Sequence, residues 1–145
     1  MDLLSSSAGR LATVALLLAV ASLVLLLARR RDGVLRAPGR RERVTAAELG
    51  RALGATATLL QVSSPGCATC PQVARVLGAV AREHRGVAHV EIDATRYPDL
   101  VRRLGVLRTP SVLLLGPDGD VRARTSGSMD RAAATAALDL AVARG

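Results

Sequence analysis

The segment at residues 64–71, with the sequence SPGCATCP, most constrains the fold of this chain, because it contains the only two cysteines among 145 residues. An apolar run at residues 58–62 precedes it. Apolar residues at spacings of three and four follow it over residues 72–82, which is the pattern of an amphipathic helix. The sequence therefore predicts a buried strand, a turn and a helix, with Cys67-Ala68-Thr69-Cys70 at the start of the helix.

This placement predicts a reactive thiol. The first turn of a helix presents unpaired backbone N–H groups and the positive end of the helix dipole, and both favour a thiolate over a thiol. We therefore predict that Cys67 is nucleophilic near neutral pH and that Cys70, one turn further on, closes or attacks a disulfide. A purely structural disulfide and a pair of inert buried thiols are the alternatives.

Composition argues against two other classes of function. Tyr97 is the only aromatic residue, so surfaces that stack on nucleic-acid bases have almost nothing to be built from, and we expect no nucleic-acid binding. Zinc and iron–sulfur sites take about four ligands, whereas the chain offers two cysteines, His84 and His89. No metal and no cofactor are therefore predicted.

Residues 11–28 form an uninterrupted run of eighteen uncharged positions. A helix of that length spans about 27 Å, close to the roughly 30 Å hydrocarbon core of a bilayer. Residues 1–9 lack the basic start of a signal peptide, and the run ends in three arginines rather than at a cleavage site. We therefore predict an N-terminal tail at 1–10 and one transmembrane helix at 11–28. A cleaved signal peptide and a buried core helix are the alternatives.

Charge on either side of this run predicts its orientation. Residues 29–43 contain seven arginines and two acidic residues, whereas Arg10 alone precedes the run. Because basic flanks stay on the cytoplasmic side of a membrane, we predict a cytoplasmic domain at residues 44–145, joined by an arginine-rich linker at 29–43. Since all twenty basic residues are arginine, a GC-rich bacterial genome is indicated. The predicted location is a bacterial cell membrane, crossed once, with the extracytoplasmic orientation as the alternative.

Strand and helix patterns alternate through residues 44–145. The predicted strands are 57–63, 87–92, 111–115 and 120–125. Four helices are predicted. One covers 45–53, the second runs from the cysteines to residue 83, and the last two cover 98–104 and 129–143. A capping box at residues 45–48 begins the first helix, and Ser128 is predicted to cap the last, which would bury Ala133, Ala137, Leu140 and Ala141. This order predicts an α/β layer fold that ends in a β-hairpin and a helix.

Over residues 44–145 the chain resembles the thioredoxin family. The resemblance rests on Cys67-Ala68-Thr69-Cys70 followed by Pro71, on VEID at 90–93, on RTPSVL at 108–113, and on GPDG at 116–119 with a glycine at 127. It implies a thioredoxin-like fold with a central mixed sheet flanked by helices. It also implies that Cys67 attacks and Cys70 resolves, that Pro110 is cis and faces Cys67, and that the backbone of Thr109 pairs with an extended substrate chain.

Three positions depart from the family pattern. Gly66 stands where a tryptophan is usual, Ala68-Thr69 where Gly-Pro is usual, and Gln61 where a buried acid assists proton transfer. A basic residue often pairs with that acid, and His89 occupies the matching strand position. Because Gln61 cannot act as a base, the resemblance assigns its proton-transfer role to His89 or to water.

These features predict a membrane-anchored thiol–disulfide oxidoreductase. Its partners would be protein disulfides and dithiols, with a monomer as the default state. An extracytoplasmic protein of disulfide formation, disulfide isomerisation or cytochrome maturation is one alternative. A thioredoxin-fold binding module without turnover is the other.

Overall fold

Helices and strands alternate along the part of the chain that the structure, a computed structural model, describes: residues 7–31 and 42–143. The chain divides into two units, Met1–Arg31 and Asp32–Gly145. The bounds of the elements are α1 (Ser7–Arg31), α2 (Ala46–Leu49), β1 (Ala57–Ser63), α3 (Cys70–Glu83), β2 (Val87–Asp93), α4 (Pro98–Arg103), β3 (Ser111–Leu115), β4 (Val121–Ser126) and α5 (Arg131–Ala143).

The first unit is built on α1, a helix of 25 residues. It confirms the prediction that residues 11–28 are helical. The side chains of α1 are described at positions 11–26, and all of them are exposed. Within the residues that the structure describes, no helix is long and apolar enough to cross a membrane. The predicted transmembrane character of this helix therefore has no support there. The tail at 1–6 and the linker residues 32–41 lie outside the described residues.

The second unit contains a mixed sheet with the strand order β2-β1-β3-β4. β1 pairs in parallel with β2 and antiparallel with β3, and β3 pairs antiparallel with β4. All seven residues of β1 are buried, because this strand has a neighbour on each side and packed elements on both faces. The predicted mixed sheet is therefore confirmed, with the strand that leads to the cysteines inside it.

Helices cover both faces of this sheet. Successive side chains of a strand point to opposite faces, so Leu59 packs with α3 and α5 while Leu60 packs with α2 and α4. Both leucines are almost completely buried. Burial of one such side chain contributes about 1.5–3 kcal/mol. The result is the predicted α/β fold, with apolar layers on both sides of β1.

The first helix of this unit is shorter than predicted. The capping box is present, since the Thr45 side chain accepts from the Glu48 N–H and the Glu48 carboxylate accepts from the Thr45 N–H. However, α2 ends at Leu49 rather than at residue 53, because Gly50 adopts a left-handed conformation with φ of 63°. Glycine takes this conformation without steric cost and commonly ends helices in this way.

The cap and the buried side of α5 also differ from the prediction. Asp130, not Ser128, caps the helix, because its carboxylate accepts from the N–H of Ala133 at 2.8 Å. The fully buried positions are Ala134, Ala137 and Leu138. Leu140, which was predicted to be in the core, is 49% exposed. The buried side of α5 is therefore not the predicted one, and among its described side chains Ala137 is the only position that belongs to both the predicted and the observed buried sets.

Candidate redox site

The cysteines lie where the central strand passes into a helix. β1 ends at Ser63, a loop follows, and α3 begins at Cys70. Cys67 lies in the turn before the helix, where its N–H donates to the carbonyl of Ser64 and its carbonyl accepts from the N–H of Cys70. The predicted placement at the start of the helix is therefore confirmed for Cys70. Cys67 instead precedes the helix by three residues.

The two cysteines form a disulfide, and their Cα atoms lie 5.5 Å apart. Their environments differ. Cys67 is half-buried and Cys70 is only 4% exposed. Part of Cys67 is therefore open to solvent, whereas Cys70 is covered by the protein. This asymmetry fits an attacking role for Cys67 and a resolving role for Cys70.

The backbone at position 66 explains why glycine stands there instead of the tryptophan of the thioredoxin pattern. Its φ is 79°, in the left-handed region that glycine tolerates and larger residues avoid. A Cβ atom at this position would meet no other atom within 4 Å. Backbone conformation, rather than lack of space, therefore favours glycine immediately before Cys67.

Gln61 is fully buried on β1 and contacts the backbone of Cys70. Its Nε2 lies 3.0 Å from the Cys70 carbonyl oxygen, 2.9 Å from Ser63 Oγ and 3.1 Å from a carboxylate oxygen of Glu91. An amide nitrogen carries two hydrogens, so these three acceptors share two donors. Gln61 thus connects the buried cysteine to a carboxylate on the neighbouring strand.

His89 contacts the other end of the same amide. Its Nε2 lies 3.3 Å from Oε1 of Gln61. Because this amide oxygen carries no hydrogen, Nε2 of His89 must be the donor. Burial lowers the pKa of His89, and the charge of Glu91 offsets part of that shift. Gln61 and His89 are therefore brought together, and the ring of His89 bonds to the amide of Gln61.

Thr109 and Pro110 lie just before β3, in a segment that a side-chain hydrogen bond joins to the loop that carries Cys67. The Thr109–Pro110 peptide bond is cis, which confirms the conformation implied by the resemblance. Pro110 is buried and Thr109 is half-buried. The hydroxyl of Thr109 lies 2.6 Å from that of Ser64. The proposed substrate edge is thereby linked to the segment before the cysteines.

The sequence analysis missed Ser63 and Glu91. The hydroxyl of Ser63 donates to the carboxylate of Glu91, which also accepts from Gln61. Glu91 pairs directly with Gln61 in the parallel register of β1 and β2. The available signal was the alternation in residues 87–92, which places His89 and Glu91 on one face of a strand.

A metal site would need several His, Cys, Asp or Glu side chains held close together. Across residues 7–31 and 42–143, no group of three or more His, Cys, Asp or Glu side chains could hold a metal ion.

Comparison with known proteins agrees with this geometry. Residues 58–127 match the family model described as a thioredoxin domain. The solved structure of chloroplastic thioredoxin z is 27% identical with a TM-score of 0.56, covering 68% of this chain and 86% of that one. No curated protein matches the chain.

Two further solved structures share the fold alone. A malarial protein is 18% identical with a TM-score of 0.50, covering 58% of this chain and 93% of that one. Thioredoxin-2 of a malaria parasite is 16% identical with a TM-score of 0.52, covering 58% of this chain and 82% of that one.

The mixed sheet, its flanking helices and the close cysteine pair at the start of α3 give this unit a thioredoxin-like α/β fold. Residues 58–127, which match the thioredoxin model, lie within this unit and include both cysteines. This confirms the resemblance at the level of the domain. Bacterial origin and membrane anchoring remain predictions.

Proposed function

We propose that this protein is a membrane-anchored thiol–disulfide oxidoreductase that exchanges disulfides with protein substrates through Cys67 and Cys70. The difference in exposure between the two cysteines is the observation that carries this proposal. A structural disulfide needs no accessible sulfur, whereas exchange needs one sulfur that a substrate can reach and one held in reserve.

The reaction begins on the reduced protein. The thiolate of Cys67 attacks one sulfur of a substrate disulfide and forms a mixed disulfide, and the other substrate sulfur leaves and takes up a proton. Cys70 then loses its proton, forms a bond to the Cys67 sulfur and releases the second substrate sulfur, which is also protonated. Two electrons pass from the protein to the substrate, and a dithiol reductant must then regenerate the reduced pair.

Thr109 is the proposed contact for the substrate backbone. It is half-buried, it precedes the cis Pro110, and its hydroxyl bonds to Ser64 in the loop that carries Cys67. An extended substrate segment bound here would lie beside the accessible cysteine. Substrate recognition would then depend on backbone hydrogen bonds, which suits many different protein disulfides.

The membrane part of the proposal rests on the N-terminal segment. In the sequence, residues 11–28 carry no charge and seven arginines lie in residues 29–43. We propose a single-pass anchor in a bacterial membrane with the catalytic domain in the cytoplasm, where net reduction of substrates is expected. A reporter fused after Gly145 that is active only outside the cytoplasm would instead favour disulfide formation, isomerisation or cytochrome maturation.

Trapping in native membranes tests the proposal and the roles of the two cysteines. The Cys70→Ser variant should accumulate mixed disulfides, because Cys67 still attacks but nothing resolves the product. The matched Cys67→Ser variant should accumulate none. Equal trapping by the two variants would contradict the assigned roles. Absence of trapping by both, together with no reduction of insulin by the wild-type chain, would favour a binding module without turnover.

A further inference from the structure

The hydrogen bonds around Gln61 lead from Cys70 to one carboxylate. Nε2 of Gln61 contacts both the Cys70 carbonyl and Glu91, so the carboxylate oxygen lies within about 6 Å of that carbonyl oxygen. Ser63 strengthens the connection, since its hydroxyl accepts from Gln61 and donates to Glu91. The carboxylate of Glu91 is therefore joined through Gln61 to the backbone of the buried Cys70.

The other two members of this network are poorly suited to take a proton from Cys70. The amide of Gln61 has no basic site near neutral pH. Nε2 of His89 already holds the hydrogen that it donates to Gln61, so its free lone pair is on Nδ1. A Cβ atom on Gly78 of α3 would lie 3.8 Å from that Nδ1, so this nitrogen faces the helix rather than the amide. Glu91 is the remaining titratable group of the network.

Glu91 also has access to solvent. Its side chain is exposed, and it lines a cleft of about 660 Å³ together with Ser63 and His89. The other charged groups of this cleft are Arg51, Arg96 and Asp93. A proton received by the Glu91 carboxylate can therefore leave to bulk water, whereas a proton on the buried Cys70 cannot leave without an acceptor.

We propose that Glu91 receives the proton that Cys70 releases when it resolves the mixed disulfide; this rests on the proposed function. The proton leaves the Cys70 sulfur and passes through a water molecule and the Ser63 hydroxyl to the carboxylate. A bond forms between the Cys70 and Cys67 sulfurs, and the bond from Cys67 to the substrate breaks. The substrate sulfur takes a proton from solvent, and Glu91 returns its proton to solvent.

Glu91 receives this proton through a water molecule and the Ser63 hydroxyl rather than by direct contact with Cys70. It is therefore a positioning residue and not a catalytic one. Asp93 serves as the control, because it is also acidic and lies on the same strand and in the same cleft. The carboxylate of Asp93 accepts from the N–H and the hydroxyl of Thr95, outside the hydrogen bonds around Gln61. The two acids thus form a matched pair, of which one is coupled to Cys70.

The experiment follows the two sulfur-transfer steps separately in the full chain in detergent. The reduced protein, in excess, reacts with the aryl disulfide dithiobis(nitrobenzoate), which releases one coloured thiolate when Cys67 attacks and a second when Cys70 resolves. Rates of both phases are measured from about pH 6 to about pH 9 for the wild type, Glu91→Gln and Asp93→Asn. Glutamine at 91 keeps the side-chain length and an oxygen that can accept from Ser63, so the variant removes the charge.

The proposal predicts that Glu91→Gln slows the second phase at least about tenfold near pH 6.5, with the first phase unchanged. The difference should shrink towards about pH 9, because a free thiol ionises there without a base. Asp93→Asn should match the wild type. A second phase in Glu91→Gln that is unchanged, faster, or slowed equally at every pH would overturn the proposal. Loss of the first phase in the wild type would instead refute the proposed function.

Discussion

The hydroxyls of Ser64 and Thr109 lie 2.6 Å apart and join two segments that are 45 positions apart in sequence. Ser64 begins the loop that leads to Cys67, and Thr109 precedes the cis Pro110. This hydrogen bond joins the loop that carries Cys67 to the proposed substrate edge. Catalysis is sensitive to such spacing, since a displacement of about 1 Å can slow a reaction about a hundredfold.

Removal of the Thr109 hydroxyl should therefore affect both stability and activity. Thr109→Val keeps the branched shape but leaves Ser64 without this partner. We expect the free energy of unfolding to fall by about 1 kcal/mol, measured by urea denaturation, and kcat/KM for insulin disulfides to fall as well. Thr109→Ser, which keeps the hydroxyl, is the control. Equal losses in the two variants would show that the hydrogen bond is not the cause.

Gln61→Glu should make the stability of the domain depend on pH. The variant brings a second carboxylate against Glu91, so one of the two must hold a proton and has a raised pKa in the folded state. The folded chain then binds more protons than the unfolded chain, and stability falls as pH rises above about 4.3. We expect a loss, relative to the wild type, that is larger near pH 7 than near pH 5 in denaturant unfolding.

Gln61→Leu is the matched control for this prediction. It removes the same hydrogen bonds without adding a charge, and should cost about 1–3 kcal/mol at both pH values. If the losses caused by glutamate and leucine show the same pH dependence, repulsion between the carboxylates is not the cause.

His89 should make the wild-type protein less stable in mild acid. Burial lowers the pKa of His89 in the folded state below its ordinary value of 6.5. As pH falls through about 6.5, the unfolded chain therefore binds a proton before the folded chain does, and the free energy of unfolding decreases. His89→Gln removes this titration and keeps an amide donor for Gln61.

Denaturant unfolding of the wild type and His89→Gln between about pH 7.5 and about pH 5 tests this prediction. The difference between them should change in favour of the variant as the solution becomes more acidic. A constant difference between the wild type and His89→Gln across the range would contradict the assignment.

Local patterns predicted the central strands and the cysteine site. β1 and β3 begin and end at the predicted residues, because each is a short apolar run bounded by turn residues. The thiol site followed from where the cysteines stand between strand and helix. The cap of α5 was placed wrongly at Ser128, since Asp130 is an equally good cap two residues later and only packing selects between them.

The role of Glu91 could not be predicted from local pattern. Its contact with Gln61 depends on the parallel register of two strands separated by 30 residues, which no local periodicity determines. The sequence places the neutral Gln61 where the thioredoxin resemblance expects an acid, and the fold brings the carboxylate of Glu91 on the adjacent strand into contact with it. This contact between Glu91 and Gln61 can be identified only when the pairing of β1 with β2 is known.

The most direct test of the central claim is the reduction of insulin disulfides by the full chain in detergent, with dithiothreitol as the reductant. The account predicts that the wild type accelerates reduction above the rate of dithiothreitol alone and that Cys67→Ser abolishes this acceleration. An inactive wild type, or a Cys67→Ser variant as active as the wild type, would contradict it.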